Sequence, residues 1–345
     1  MGLADVWFVA IAVLWTGYFF LEGFDFGVGV LLPVLGRTEE ERGALIDTIG
    51  GVWDGNEVWL IVAAGATFAA FPLWYATLFS SLYVPLLVIL VALIVRGVAF
   101  EFRGRGETAR WRATWDALLV VGSLVPAVLW GVVFGNVARG LPLDAEHLDR
   151  GGLGELLNRP ALVGGLTTLT LFLLHGALFL RLRTEGELRV RARRAATWIA
   201  PLALLPTVVF VVRTQAQQGN TATTATGLVA VLCLLGAWAL NRTRTAAAGF
   251  AFSGTAVVAA TATLFLALYP AVLPSTLDPA FDLTVHNASS TGYTLTIMTW
   301  AAGIFLPIVV AYQIWTYRVF ARRIGATGPS REHGAVHSPA GSGPA

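Results

Sequence analysis

Long stretches of this chain lack the alternation of apolar and polar positions that a water-facing fold requires. From Val6 to Leu35 the only charged residues are Glu22 and Asp25, and from Ala161 to Leu180 there is none, with His175 the one titratable group. An apolar run of about 20 residues is the length of a bilayer-spanning helix. A helix satisfies its backbone hydrogen bonds internally, as lipid demands, whereas a membrane β-barrel would show short alternating segments. The pattern predicts helices near 6–36, 50–71, 75–102, 114–138, 160–182, 197–216, 224–241, 246–269 and 293–318. Phe71-Pro72-Leu73-Trp74 marks a tight break between the second and third. The first run is far longer than a signal-peptide core and no Lys or Arg precedes it, so it is expected to stay as a membrane helix.

Composition agrees: 56% of residues are hydrophobic, 13% are charged and the mean hydropathy is +0.70, against roughly 25% charged in soluble domains. All 23 basic residues are Arg. Eighteen of them fall after the first, third, fifth, seventh and ninth helices, and four in the alternate segments, with Arg96 inside a helix. Cytoplasmic loops carry the Arg excess, so the N-terminus is expected outside and the C-terminus in the cytoplasm. A net charge of +2 gives no reason to expect a nucleic-acid partner. The expected fold is therefore an all-α integral membrane domain over 1–323 with about nine transmembrane helices. Residues 324–345, rich in Gly, Pro, Ser and His, read as a disordered cytoplasmic tail.

Ionisable groups inside a bilayer are costly and are functional candidates by default. Here they are Glu22, Asp25, Asp54, Glu57, Arg96, Glu101, Asp116 and His175. Glu22 with Asp25, and Asp54 with Glu57, share helix faces by their i,i+3 spacing. At about 1.5 Å per residue, Asp25 lies about 16 Å, Asp54 about 6 Å, and Glu57 and Arg96 about 10 Å from the Arg-rich side. The acids and Arg96 thus gather in one half of adjacent helices. They read either as proton-relay groups or as a buried ion pair of structural purpose. Glu101 and Asp116, near helix ends, read as interfacial charges, and Trp7, Trp74, Trp300 and Trp315 as interface anchors.

Haem iron takes axial ligands from facing helices, and of five histidines only His175 is helical. The expected reading is a hydrogen-bonded core histidine, with no haem or metal bound by this chain and any redox centres on another polypeptide. The single cysteine, Cys233, reads as a buried apolar residue.

Two stretches are distinctive: Glu22-Gly23-Phe24-Asp25-Phe26-Gly27-Val28-Gly29 and Trp53-Asp54-Gly55-Asn56-Glu57-Val58-Trp59-Leu60. They are followed in order by Ala70-Phe71-Pro72, Arg96, Phe134-Gly135-Asn136, Arg183-Thr184-Glu185-Gly186-Glu187-Leu188, Asn287-Ala288-Ser289-Ser290 and Met298-Thr299-Trp300. In these features, over residues 1–323, the chain resembles subunit II of the cytochrome bd family of quinol oxidases. The resemblance implies a subunit of a terminal respiratory oxidase in the bacterial cell membrane, oxidising quinol and reducing dioxygen to water. It implies two four-helix bundles (about 6–138 and 160–269) plus one peripheral helix (293–318). It also implies a heterodimer with subunit I, which holds two b-type haems and one d-type haem. A proton path would involve Asp25 and Asp54, with Glu22 and Glu57 as their companions, and Trp59 would lie at an oxygen route. A structural quinone and small accessory subunits are left open. Two other readings stay open: a subunit that only shields and stabilises its partner, and a secondary transporter, which also uses midplane acids but would show interrupted helices at matching positions.

Overall fold

The computed structural model describes residues 2–243, 245–320 and 323–325. Helices α1 (Leu3–Leu35), α2 (Glu39–Asp47), α3 (Trp53–Ala70), α4 (Pro72–Ser81), α5 (Tyr83–Phe102) and α6 (Ala109–Arg139) are followed by α7 (Arg159–Arg183), α8 (Gly186–Gln218), α9 (Thr221–Leu240), α10 (Ala246–Leu268) and α11 (Gly292–Val319). Eight of these are long and apolar enough to cross a membrane. Helix α3 falls outside that set because Asp54, Asn56 and Glu57 crowd its first turns. The expected 75–102 helix is two, parted at Leu82, with Pro85 in the first turn of α5, where a missing N–H costs nothing. Helix α8 begins eleven residues before the expected boundary, so the Arg-rich segment after α7 is itself helical. Pro126, Pro201, Pro206 and Pro307 sit inside helices that continue past them, as neighbouring helices in a membrane allow. Residues 326–345, including His333 and His337, lie outside the described residues. Ile324 N–H, where the tail was expected to start, donates to Arg183 O at 2.8 Å.

Helix α1 is the axis of the fold, packing on α3, α6, α7 and α10. Its glycines explain how. Gly23 and Gly27 face α7, and a Cβ on Gly27 would run into the backbone at Phe172 and Gly176. Lipid gives no hydrophobic push between helices, so close backbone approach through small residues supplies the packing. Gly176→Val is expected to destabilise the protein by about 1–3 kcal/mol through overpacking, read as a lower Tm in detergent, with Gly43→Ala, in open space within α2, as the control that does not lower it.

The ends of α1, α5, α7 and α11 and the starts of α3, α6 and α8 share one face, which carries most of the arginines. Helix α2 lies there, opened by a capping box in which the Thr38 hydroxyl accepts from Glu41 N and Glu41 accepts from the Thr38 and Arg37 N–H groups. Glu39 pairs with Arg103 (2.9 Å) and Arg112 (3.3 Å), and Glu41 pairs with Arg191. Asp116 is buried between Arg103 (2.5 Å) and Arg42 (3.1 Å). The Arg191 hydrogen bond holds the Glu41 carboxyl below its ordinary 4.5. A lowered folded value means the latch contributes fully above that pH and weakens as pH falls below it. Proteolysis of the α1–α3 connection is therefore expected to rise below about pH 4.5 in wild type, and to be raised already at neutral pH in Glu41→Gln.

On the opposite face the 140–158 and 269–291 loops pack together. Strands β1 (Ala271–Leu273) and β2 (Leu283–Thr284) pair there, Leu141 N donates to Pro274 O at 3.0 Å, and Tyr269 donates to Asp5 at 3.0 Å. Trp74 is a core residue at 2% exposure rather than an interface anchor.

Candidate functional site

The first motif divides its residues between two faces of α1. Gly23 and Gly27 go to α7, while Glu22 and Asp25 turn toward α3 and α5. On α3 the buried stripe is Asn56, Ala63, Thr67 and Ala70, a spacing that fits one helix face. On α5 it is Pro85, Ile89, Ala92, Leu93, Arg96 and Ala99. Arg96 therefore points inward for the same reason its apolar neighbours do, and Gly122 of α6 lets its backbone come close.

These faces bring three carboxyls around one guanidinium. Arg96 is fully buried, and its Nη1 donates to Glu22 Oε2 at 2.9 Å and to Glu57 Oε1 at 2.8 Å. The flat group lies 5.0 Å from the Phe26 ring and 5.3 Å from that of Phe100, which suits a weakly hydrated cation. Asp25, also fully buried, accepts from Asn56 Nδ2 at 2.7 Å. Asn56 Oδ1 in turn accepts from Tyr317 Oη at 2.8 Å and Gln313 Nε2 at 3.1 Å, both on α11. Glu22 Oε1, Asp25 Oδ1, and Arg96 Nε and Nη2 have no hydrogen-bond partner among the described residues. Only Glu57 opens outward, with its side chain 24% exposed. By helical rise, Glu57 lies about 6 Å, Arg96 about 9 Å and Asp25 about 15 Å from the Arg-rich ends of their helices.

The structure thus joins Glu22, Glu57 and Arg96 directly, with Asp25 beside them. It leaves Asp54 apart: that side chain is exposed in the first turn of α3 and accepts from Gly55 N at 2.8 Å. Trp59 is half-buried, its ring filling the space at Gly17 of α1. Asn56 stands in the second motif without a role read from the sequence, and Gln313 and Tyr317 are additions from the structure. The available signal was the i,i+4 pair Gln313 and Tyr317 in the last turns of a mostly apolar helix.

His175 is a poor haem ligand. Its Nδ1 lies 2.8 Å from Ser253 Oγ, its Nε2 3.2 Å from Phe20 O, and its ring stacks on Phe250 at 4.5 Å. His147 Nδ1 lies 3.0 Å from Phe281 O in a loop. No cluster of three metal-ligating side chains occurs among the described residues. Without facing axial ligands, haem does not fit this chain's described residues.

The family model for cytochrome bd terminal oxidase subunit II matches residues 3–320. The chain belongs to that family. It is 41% identical to cytochrome bd ubiquinol oxidase subunit 2 of Bacillus subtilis (strain 168), covering 95% of this chain and 98% of the relative. It is 33% identical to cytochrome bd-I ubiquinol oxidase subunit 2 of Escherichia coli (strain K12), over 93% and 95%. A chain of the solved bd oxidase from Geobacillus thermodenitrificans superposes with a TM-score of 0.77, covering 93% of this chain and 99% of that one. At 18% identity that likeness speaks for the fold. In this chain the two motifs, together with Arg96, build the buried cluster.

Proposed function

We propose that this chain serves as subunit II of a quinol-oxidising, dioxygen-reducing complex, pairing with a haem-bearing subunit I. The names of the Bacillus and Escherichia relatives, ubiquinol oxidase subunits, support a quinol as reductant. The two b-type haems and the d-type haem are assigned to the partner. Reducing dioxygen to two waters takes four electrons from two quinols and four protons from the medium. Our reading gives this chain the proton supply.

The observation that carries it is the buried carboxyl cluster with one open end. Three carboxyls face one guanidinium, so the group is neutral when it holds two protons. Uncompensated charge is expensive in a bilayer. Arg96 fixes one oxygen of Glu22 and one of Glu57, leaving Glu22 Oε1 and Asp25 Oδ1 able to bind and release a proton. Glu57 is the entry, with Asp54 at the mouth as an exposed collector, and Asp25 and Glu22 are the inner stations. Trp59 is assigned to the oxygen route beside the partner. By the Arg excess, the open end faces the cytoplasm, with nine crossings, the N-terminus outside and the C-terminus inside.

Purified with its haem-bearing partner, the complex is expected to consume oxygen when given a soluble quinol, in a ratio of two quinols per dioxygen. A complex with full haem that neither oxidises quinol nor consumes oxygen would overturn the assignment.

A further inference from the structure

Helix α11 is the outlier of the fold. Its outward face is apolar, and Leu295 is its one buried residue among those described. It is held at two places. Near its start, Trp7 Nε1 donates to Thr299 Oγ1 at 3.1 Å and to Leu295 O at 3.3 Å. Near its end, Gln313 and Tyr317 both donate to Asn56 Oδ1. The second clasp has a chemical consequence. With Tyr317 and Gln313 both donating to its oxygen, the Asn56 amide loses two hydrogen bonds if it flips, which holds Nδ2 toward Asp25.

We propose that α11 is a positioning element for the buried carboxyl cluster, acting through Asn56 to hold Asp25 in one orientation. The inference rests on the proton-supply reading of that cluster. Two α11 donors fix the amide, the amide fixes Asp25 Oδ2, and Asp25 Oδ1 is left buried as its free oxygen. Without the clasp, the amide can rotate and Asp25 can swing. The charged and titratable groups near Asp25 are Glu22 on its own helix, Asp54 and Glu57 on α3, Arg96 on α5 and Tyr317 on α11. None of these changes charge in the test variants; only the neutral Tyr317 hydroxyl is removed.

The test uses the intact complex with its partner. Tyr317→Phe keeps the ring and deletes one donor, and Tyr317→Phe with Gln313→Leu deletes both. Haem content is measured by absorbance, and turnover at saturating quinol in H2O and in D2O. With full haem, the single variant is expected to lose about three- to tenfold in turnover, the effect of one hydrogen bond. The double variant is expected to lose more, and in both the solvent isotope effect rises because proton delivery has become slower. Unchanged turnover, or slower turnover with an unchanged isotope effect, would overturn the proposal, the latter by showing a merely structural role. If the double variant fails to assemble, the single variant decides by the same two readings. Asp25→Asn in parallel separates the two failures. If it turns over normally, the proton-supply reading falls and takes this inference with it. If it is slow while the α11 variants behave as wild type, only the α11 inference falls.

Discussion

Asp25→Asn is expected to assemble with a full complement of haem and to lose about 10²-fold in quinol-driven oxygen consumption, as removal of a proton-transferring group does. The substitution is nearly isosteric. The new amide oxygen can still accept from Asn56 Nδ2, which now reaches Asp25 at 2.7 Å, so the packing of α1 on α3 should survive. What disappears is the ability to take a proton and pass it on. Asp54→Asn should cost far less, because that carboxyl is exposed on the Arg-rich side and can be bypassed by water. The contrast between two aspartates in adjacent motifs is the informative part. Equal losses at both positions would argue for a single-file path through Asp54.

Arg96→Met is expected to fail at an earlier stage. It leaves Glu22 and Glu57 buried without the guanidinium that now reaches both. Removing one partner of a buried ion pair costs about 3–5 kcal/mol, enough to deplete the assembled complex in the membrane. The same principle predicts rescue. In the Arg96→Met, Glu22→Gln, Glu57→Gln triple variant Asp25 is the one acid left in the cluster and can stay neutral by keeping its proton, so the yield of haem-loaded complex should recover without recovery of turnover. Comparing yield by haem absorbance across the single and triple variants checks this. A triple variant as depleted as the single would mean that Arg96 acts through its packing on Phe26 and Phe100 instead.

The membrane character and most of the helices were legible in the apolar runs, because a bilayer imposes a length and a composition on each segment independently. The acids of the two motifs were legible for the same reason: a charge in an apolar run has no neutral explanation. The break at Leu82 was marked only by Ser80, Ser81 and Pro85, which a continuous membrane helix also tolerates. Nor was the burial of Asp116 legible, since its arginines come from α2 and the residue just after α5, far apart in sequence. The α11 clasp on Asn56 joins residues more than 250 positions apart, and no local periodicity encodes such a meeting. Asp54 misled in the other direction. Its spacing to Glu57 promised a shared face, but α3 begins only at Trp53, so Asp54 sits in the first turn with nothing packed over it.

The most direct test of the central claim is proton uptake during a single turnover. The reduced complex, in vesicles with a pH dye on the Arg-rich side, is mixed with oxygen. Wild type is expected to take up protons from that side as the partner's haems are reoxidised. In Asp25→Asn the first electron transfer is expected to proceed at its normal rate while uptake lags behind it. Proton uptake from that side at the wild-type rate in Asp25→Asn would contradict the account and leave this chain as a scaffold for its partner.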